Sequence, residues 1–210
     1  MMAVQFFSSI TIPIPRERIF KRLGYRRGVT LISPDEMREL DESIEYAASL
    51  LRLRGAGKRF KVDLEGIPNI RLIAGPVFES GDLARYLHDC GEMLLIGATG
   101  GREIVAAIEE CAEEDHMTRS VIFDAVASEM VDASLDWLCD YFNHDLMREN
   151  KHLSRRRFSA GYGDFSLKDQ HSIYDLLELK QIDIAINESA ILIPEKSVTA
   201  IVRIENSEEE

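Results

Sequence analysis

Apolar residues recur at helical spacing over Met37, Leu40, Ile44, Ala47 and Leu51. The run starts behind Ser33-Pro34-Asp35-Glu36, an N-cap serine with proline at N1 and a glutamate at N3 that can close a capping box. The pattern predicts a helix from Pro34 that continues until Gly55. Phe60 to Leu64 and Arg71 to Ile73 read as strands, and Ser80 caps a short helix through Cys90 that Gly91 stops. Met93 to Ile96 is a short apolar run with the character of a buried strand. Two helices are expected next, at about Arg102 to Glu113 and Asp115 to Asn143. Gly161 and Gly163 interrupt the pattern, and Ser172 to Leu179 returns to helix with Ile173, Leu176 and Leu177 inward. Ile191 to Ile193 and Val198 to Ile204 read as a hairpin around Pro194-Glu195-Lys196. Strands and helices mix without a regular βαβ rhythm. The expected class is α+β, a mostly antiparallel twisted sheet flanked by helices.

No internal repeat divides the 210 residues, so one domain is expected over residues 1–204, with an acidic, disordered tail over Glu205 to Glu210. The formal net charge is −12. Phosphate backbones demand clustered Lys and Arg, so nucleic acid is not an expected partner. No apolar run approaches the roughly 18 residues of a membrane span, and MMAVQFFSSITIPIPRER lacks the basic start and long apolar core of a secretory signal. A cytoplasmic protein with no membrane partner is expected. Cys90, Cys111 and Cys139 form no CxxC pair, which points to buried free thiols instead of zinc ligands or a disulfide framework.

Three stretches invite a chemical reading. Gly97-Ala98-Thr99-Gly100-Gly101 follows a strand and opens a helix, as in nucleotide-binding reductases. Glu103 stands where the third glycine belongs and would repel a pyrophosphate, so a plain strand-to-helix turn is the expectation and no nicotinamide cofactor is expected there. Asp169-Gln170-His171 imitates a cobalt-ligating D-x-H-x-x-G motif, but Tyr174 replaces its glycine, and Asp169 reads as a helix N-cap. The histidines lack the i, i+4 pairing of a helical zinc site.

The third stretch, RRRFSAGYGDFSLKDQ over Arg155 to Gln170, is richer. The Arg157 guanidinium fork suits a carboxylate, the glycines let a ligand lie against the chain, and the Tyr162 ring can cover a sulfonium or a sugar. An amino acid carrying a nucleoside and a positive sulfur, S-adenosylmethionine, fits that inventory. A surface loop with a glycine turn fits it too.

At these residues the chain resembles the activation (reactivation) domain of cobalamin-dependent methionine synthase. The R-x-x-x-G-Y signature of that family stands here as Arg157-Phe158-Ser159-Ala160-Gly161-Tyr162. Ser172 to Glu178, Asn187-Glu188-Ser189, Pro194 and Ser197-Val198 follow in the family's order, and Asp115 with Asp124 to Trp137 resembles its acid-bearing helix. The resemblance covers Met93 to Ile204 well and residues 1–92 weakly. It implies S-adenosylmethionine bound by Arg157, Ser159, Ala160, Gly161 and Tyr162, with Glu129 and Asp132 as the helical acids and Ser128 as a third candidate.

The implied activity is reductive methylation of cob(II)alamin carried by a separate methionine synthase or corrinoid protein, with a reductase or flavodoxin supplying the electron. A reactivator of another corrinoid methyltransferase, or a binding module that has lost the ligand, are the alternatives. Where family loops carry prolines this one has Phe158, Ala160, Gly163 and Ser166, which implies a less rigid loop.

Overall fold

Strand β5 (Glu92–Thr99) sits at the centre of the molecule because its side chains alternate between two cores. Leu94, Ile96 and Ala98 face one core while Met93 and Leu95 face the other. A strand covered on both faces reads as the continuous apolar run MLLI. This computed structural model describes residues 3–26, 28–66, 68–73 and 75–207.

In chain order the other elements are β1 (Gln5–Phe7), α1 (Arg16–Arg22), α2 (Pro34–Leu50), β2 (Arg54–Gly66), β3 (Asn69–Leu72), β4 (Val77–Glu79) and α3 (Gly81–Tyr86). After β5 come α4 (Arg102–Glu113), α5 (Met117–Met147), β6 (Lys151–Leu153), α6 (Gln170–Leu176), β7 (Ala185–Ile186), β8 (Leu192–Ile193) and β9 (Ser197–Asn206). Short 3-10 turns occupy Leu167–Asp169 and Leu179–Ile182.

Among the described residues the main sheet has seven strands, ordered β4-β3-β2-β5-β9-β6, with β1 also on β2. Its pairings are antiparallel, as the sequence predicts. One face carries α2, α4 and α5 over a core that includes Ile44, Ile104, Phe123, Val126 and Leu135. The other is covered by α3, α6 and irregular chain around Phe78, Leu83, Phe165, Ile173 and Leu177. No described helix is long and apolar enough to cross a membrane.

The capping box at α2 forms as expected, Ser33 Oγ accepting from Glu36 N–H and Glu36 Oε2 from Ser33 N–H. Helix α4 has the expected bounds.

Other boundaries move. Helix α2 ends at Leu50, since Leu51 turns extended and buries itself in the core, and Gly55 lies inside β2 instead of ending a helix. Strand β2 starts at Arg54, well before the expected Phe60, because its glycines let α5 approach: a Cβ on Gly57 would overlap the Phe142 ring. Helix α3 is shorter than the stretch to Cys90, and α6 runs Gln170–Leu176. The hairpin expected around Pro194 is absent. Strand β8 pairs with β7, while β9 gives one edge to β5 and the other to β6 and Phe158. Strand β9 runs through Glu205 and Asn206, so these two belong to the sheet and not to a tail, and residues 208–210 lie outside the described residues. Cys90 and Cys111 are buried free thiols, and Cys139 is half-buried.

Candidate functional site

A cleft of about 660 Å³ opens between α5, the loop after β6 and the start of β9. Asp132 and Leu135 come from α5, Arg155, Arg157, Ser159, Ala160 and Tyr162 from the loop, and Ser197 to Ala200 from β9. Leu167, Gln170, Ala190 to Leu192 and Glu195 complete the lining.

The loop is shaped by main-chain bonds. Phe158 and Ile201 exchange N–H···O bonds of 2.9 and 2.7 Å, which splices the loop onto β9, and Ser159 Oγ donates to Thr199 O at 2.8 Å. Gly161 takes φ +90°, a conformation that side chains resist, and its N–H donates to Phe165 O at 2.8 Å. Tyr162 N–H donates back to Ser159 O at 3.2 Å, and Tyr162, 67% exposed, lines the cleft.

Beyond the turn, Asp164 holds the loop down. Its carboxylate accepts from the Ser80 hydroxyl and from the N–H groups of Gly81 and Asp82 at 2.9 and 3.0 Å, at the start of α3. Those bonds, the Ser80 hydroxyl first, hold its pKa below the usual aspartate value. Gly163 packs so tightly here that a Cβ would collide with Asp82, and the buried Phe165 ring stands on Phe78. Hydrogen bonds and one buried ring thus fasten the loop to the start of α3 and to β4.

The floor is polar and satisfied. Gln170 is 5% exposed, and its Nε2 donates to Thr199 Oγ1 at 2.8 Å while that hydroxyl lies 3.0 Å from Gln170 Oε1. Asn187 Oδ1 accepts from Ile191 N–H at 2.9 Å and so closes the turn that places Ala190 and Ile191. Lys196 Nζ reaches Asp124 Oδ1 at 2.5 Å and Ser128 Oγ at 3.0 Å, tying the segment before β9 to α5.

Ions hold the α5 side. Arg157 Nη1 donates to Asp136 Oδ1 at 2.6 Å, and its Nη2 lies 3.6 Å from Asp132 Oδ1. Burial pushes the neighbouring Cys139 thiol up to about 11, although Arg157 pulls the other way.

Of the residues named from sequence, Arg157, Ser159, Ala160, Tyr162 and Asp132 share the lining, and Gly161 shapes the turn between them. Glu129 lies elsewhere. Its two oxygens accept from Arg18 Nε at 2.8 Å and Arg22 Nε at 2.6 Å, so it fastens α1 to α5. Burial alone would raise its pKa, but the bonds from Arg22 and Arg18 outweigh that and lower it. Ser128 is engaged by Lys196. Asp169 occupies the N-cap position of α6 without a side-chain cap bond, because the Ser166-capped turn runs straight into the helix. The Gly97–Gly101 stretch is a strand end and turn, where Glu103 lies 3.8 Å from Arg52.

Sequence reasoning missed Arg18, Arg22 and Lys196. The first two are four residues apart, which puts them on one face of a helix, and Glu129, Asp132 and Asp136 are three and four apart. Those two spacings were the available signal.

No protein-family model and no curated protein matches the chain. Among solved structures, the crystal structure of the MetH reactivation domain bound to AdoHcy matches 100% of this chain and 80% of that one, with a TM-score of 0.69 at 16% sequence identity. The two chains share a fold: α+β, an antiparallel sheet with flanking helices.

Proposed function

We propose that the cleft binds S-adenosylmethionine and its demethylated product, S-adenosylhomocysteine. One observation carries the reading: a fixed cation, Arg157, and a fixed anion, Asp132, stand side by side in the lining of one cleft. An amino-acid head carries a carboxylate and an ammonium next to one another, and this pair is its complement. The volume lies within the roughly 300–1,000 Å³ of small-molecule sites. Arg157 commits one N–H to Asp136 and touches Asp132 only loosely, which leaves donors for a ligand carboxylate.

The exposed Tyr162 ring offers a face to a sulfonium, an attraction of about 0.5–2 kcal/mol. Ser197, Thr199 and Gln170 make the floor beneath a sugar or base polar. The fold shared with a domain crystallised with AdoHcy supports the same ligand class.

The finer reading is reductive methylation of cob(II)alamin on a separate methionine synthase or corrinoid protein. One electron from a reductase or flavodoxin gives cob(I)alamin; the methyl group then passes to cobalt, and the S–CH₃ bonding pair stays on sulfur as S-adenosylhomocysteine leaves. This chain's part is positioning, because the acceptor is already a strong nucleophile, and no general base is required.

The test mixes the purified chain with cob(II)alamin-loaded methionine synthase lacking its activation domain, S-adenosylmethionine and a chemical reductant. Methylcobalamin, followed by its visible spectrum, should form only in the complete mixture. An equal rate without the chain removes the reactivation reading. Calorimetric binding of S-adenosylmethionine in that event leaves the ligand site standing.

A further inference from the structure

Glu129, Asp132 and Asp136 lie on one face of α5, at positions i, i+3 and i+7. Arg18 of α1 reaches all three. Its Nε donates to Glu129 Oε2 at 2.8 Å, Nη2 to Asp132 Oδ2 at 3.1 Å and Nη1 to Asp136 Oδ2 at 2.7 Å. The other oxygen of each aspartate faces Arg157, Asp136 Oδ1 at 2.6 Å and Asp132 Oδ1 at 3.6 Å. Two carboxylates are thus shared between an arginine that lines the cleft and one that does not. Arg22 grips the second oxygen of Glu129 at 2.6 Å, so Glu129 is a fixed anchor for the Arg18 fork.

We infer that Arg18 is a positioning residue for the ligand's amino-acid head. This rests on the reading of the cleft given above. By holding the far oxygens of Asp132 and Asp136, Arg18 keeps part of their charge turned away from the cleft. Arg157 then keeps free N–H donors for a carboxylate, and Asp132 keeps an oxygen for an ammonium. Without Arg18, two under-neutralised carboxylates would draw the Arg157 guanidinium onto themselves, since the charges attract at these separations even where solvent screens them. A guanidinium suits this place because its planar fork serves several acceptors at once, which an ammonium on a flexible stem does not do. The N-terminal helix, which contributes nothing to the cleft lining, would in this way set the selectivity of the cleft.

The experiment is a calorimetric double-mutant cycle with two probes, S-adenosylhomocysteine and 5′-methylthioadenosine, which lacks the amino-acid head. Arg18→Ala should weaken S-adenosylhomocysteine binding about tenfold, mid-range for groups sharing one ion network. It should leave methylthioadenosine affinity within about twofold. Added to Arg157→Ala, it should cost nothing further. Equal losses for both probes, or additive losses in the double variant, would overturn the inference.

Arg18→Lys guards against simple unfolding. It keeps the charge and should keep the melting temperature, yet should still lose the preference for the probe with the carboxylate. A retained preference in that variant also overturns the inference. If Arg157→Ala alone leaves S-adenosylhomocysteine binding untouched, the site reading falls and this inference falls with it. If Arg157→Ala weakens binding and the Arg18 variants do not, only the inference falls.

Discussion

Along the loop from Phe158 to Phe165, the cleft is built from main chain: the Phe158–Ile201 exchange, the Gly161–Phe165 turn, and the Gly81 and Asp82 N–H groups that Asp164 accepts. Along α5 it is held by side-chain ions: Arg157 and Asp132 line it, and Arg18, Arg22, Glu129 and Asp136 are laced to them from behind. The first kind of contact sets shape and depends less on salt. The second sets charge, tolerates small movements and is screened by ions. The proposed ligand, a zwitterion with a bulky nucleoside, would need both, and here each kind of contact supports its own side of the cleft.

Three perturbations should separate the two. The largest effect is expected at Gly161. Its φ of +90° costs a β-branched residue about 1–3 kcal/mol locally. Leu167 Cδ1, 3.5 Å away, is the nearest atom a Cβ would meet, so the loop can relax outward. Gly161→Val should abolish measurable binding of S-adenosylhomocysteine while the melting temperature stays nearly constant. If melting collapses with binding, the turn is part of the fold and the division into two regions fails.

A middle-sized effect is expected at Glu129, the nearly buried end of the ion network. Glu129→Ala should lower stability by about 1–3 kcal/mol, less than a fully buried pair because Arg18 and Arg22 reach solvent. The comparison sharpens against Asp164→Ala, which should also lower the melting temperature. Denaturation at low and high ionic strength is the measurement. The Glu129 loss should shrink in high salt and the Asp164 loss should not, and the reverse order would contradict the assignment of charge to one side.

The smallest effect is with pH. The folded pKa values of Glu129 and Asp164 both lie below their ordinary 4.5 and 3.8. Each therefore contributes stability that is fully present above its ordinary value and is lost as pH falls through the lowered folded value. Melting should be flat around neutrality and decline only in acid, more gently in either variant. A decline beginning above pH 6 would implicate other groups.

How far the sequence discloses this arrangement differs between the two faces of the sheet. On the side of α2, α4 and α5 the helices themselves are legible, with α4 at its expected bounds, while α2 stops short of Gly55 and α5 runs past Asn143 to Met147. Opposite them, Gly97 and Gly163 carry no hydrophobic signal, yet each marks a close approach, to Leu179 and Asp82. Strand β9 shows the same limit: its apolar alternation is plain, but which edges it fills depends on β5, β6 and Phe158. In the cleft, the motif from Arg157 to Tyr162 and the acid at 132 are legible because their chemistry is local. The exchange of Glu129 for a structural role is not, since it depends on two arginines of a helix more than a hundred residues away.

The most direct measurement is calorimetry of the purified chain with S-adenosylhomocysteine, set beside Arg157→Ala and Arg157→Lys. Saturable one-to-one binding is expected, weakened by about 2–5 kcal/mol in the alanine variant, whose ligand carboxylate is left unpaired. The lysine variant should recover little of it, because one ammonium cannot replace a two-point fork. No binding by the unaltered chain, or equal affinity in all three proteins, would contradict the placing of the ligand's amino-acid head at Arg157.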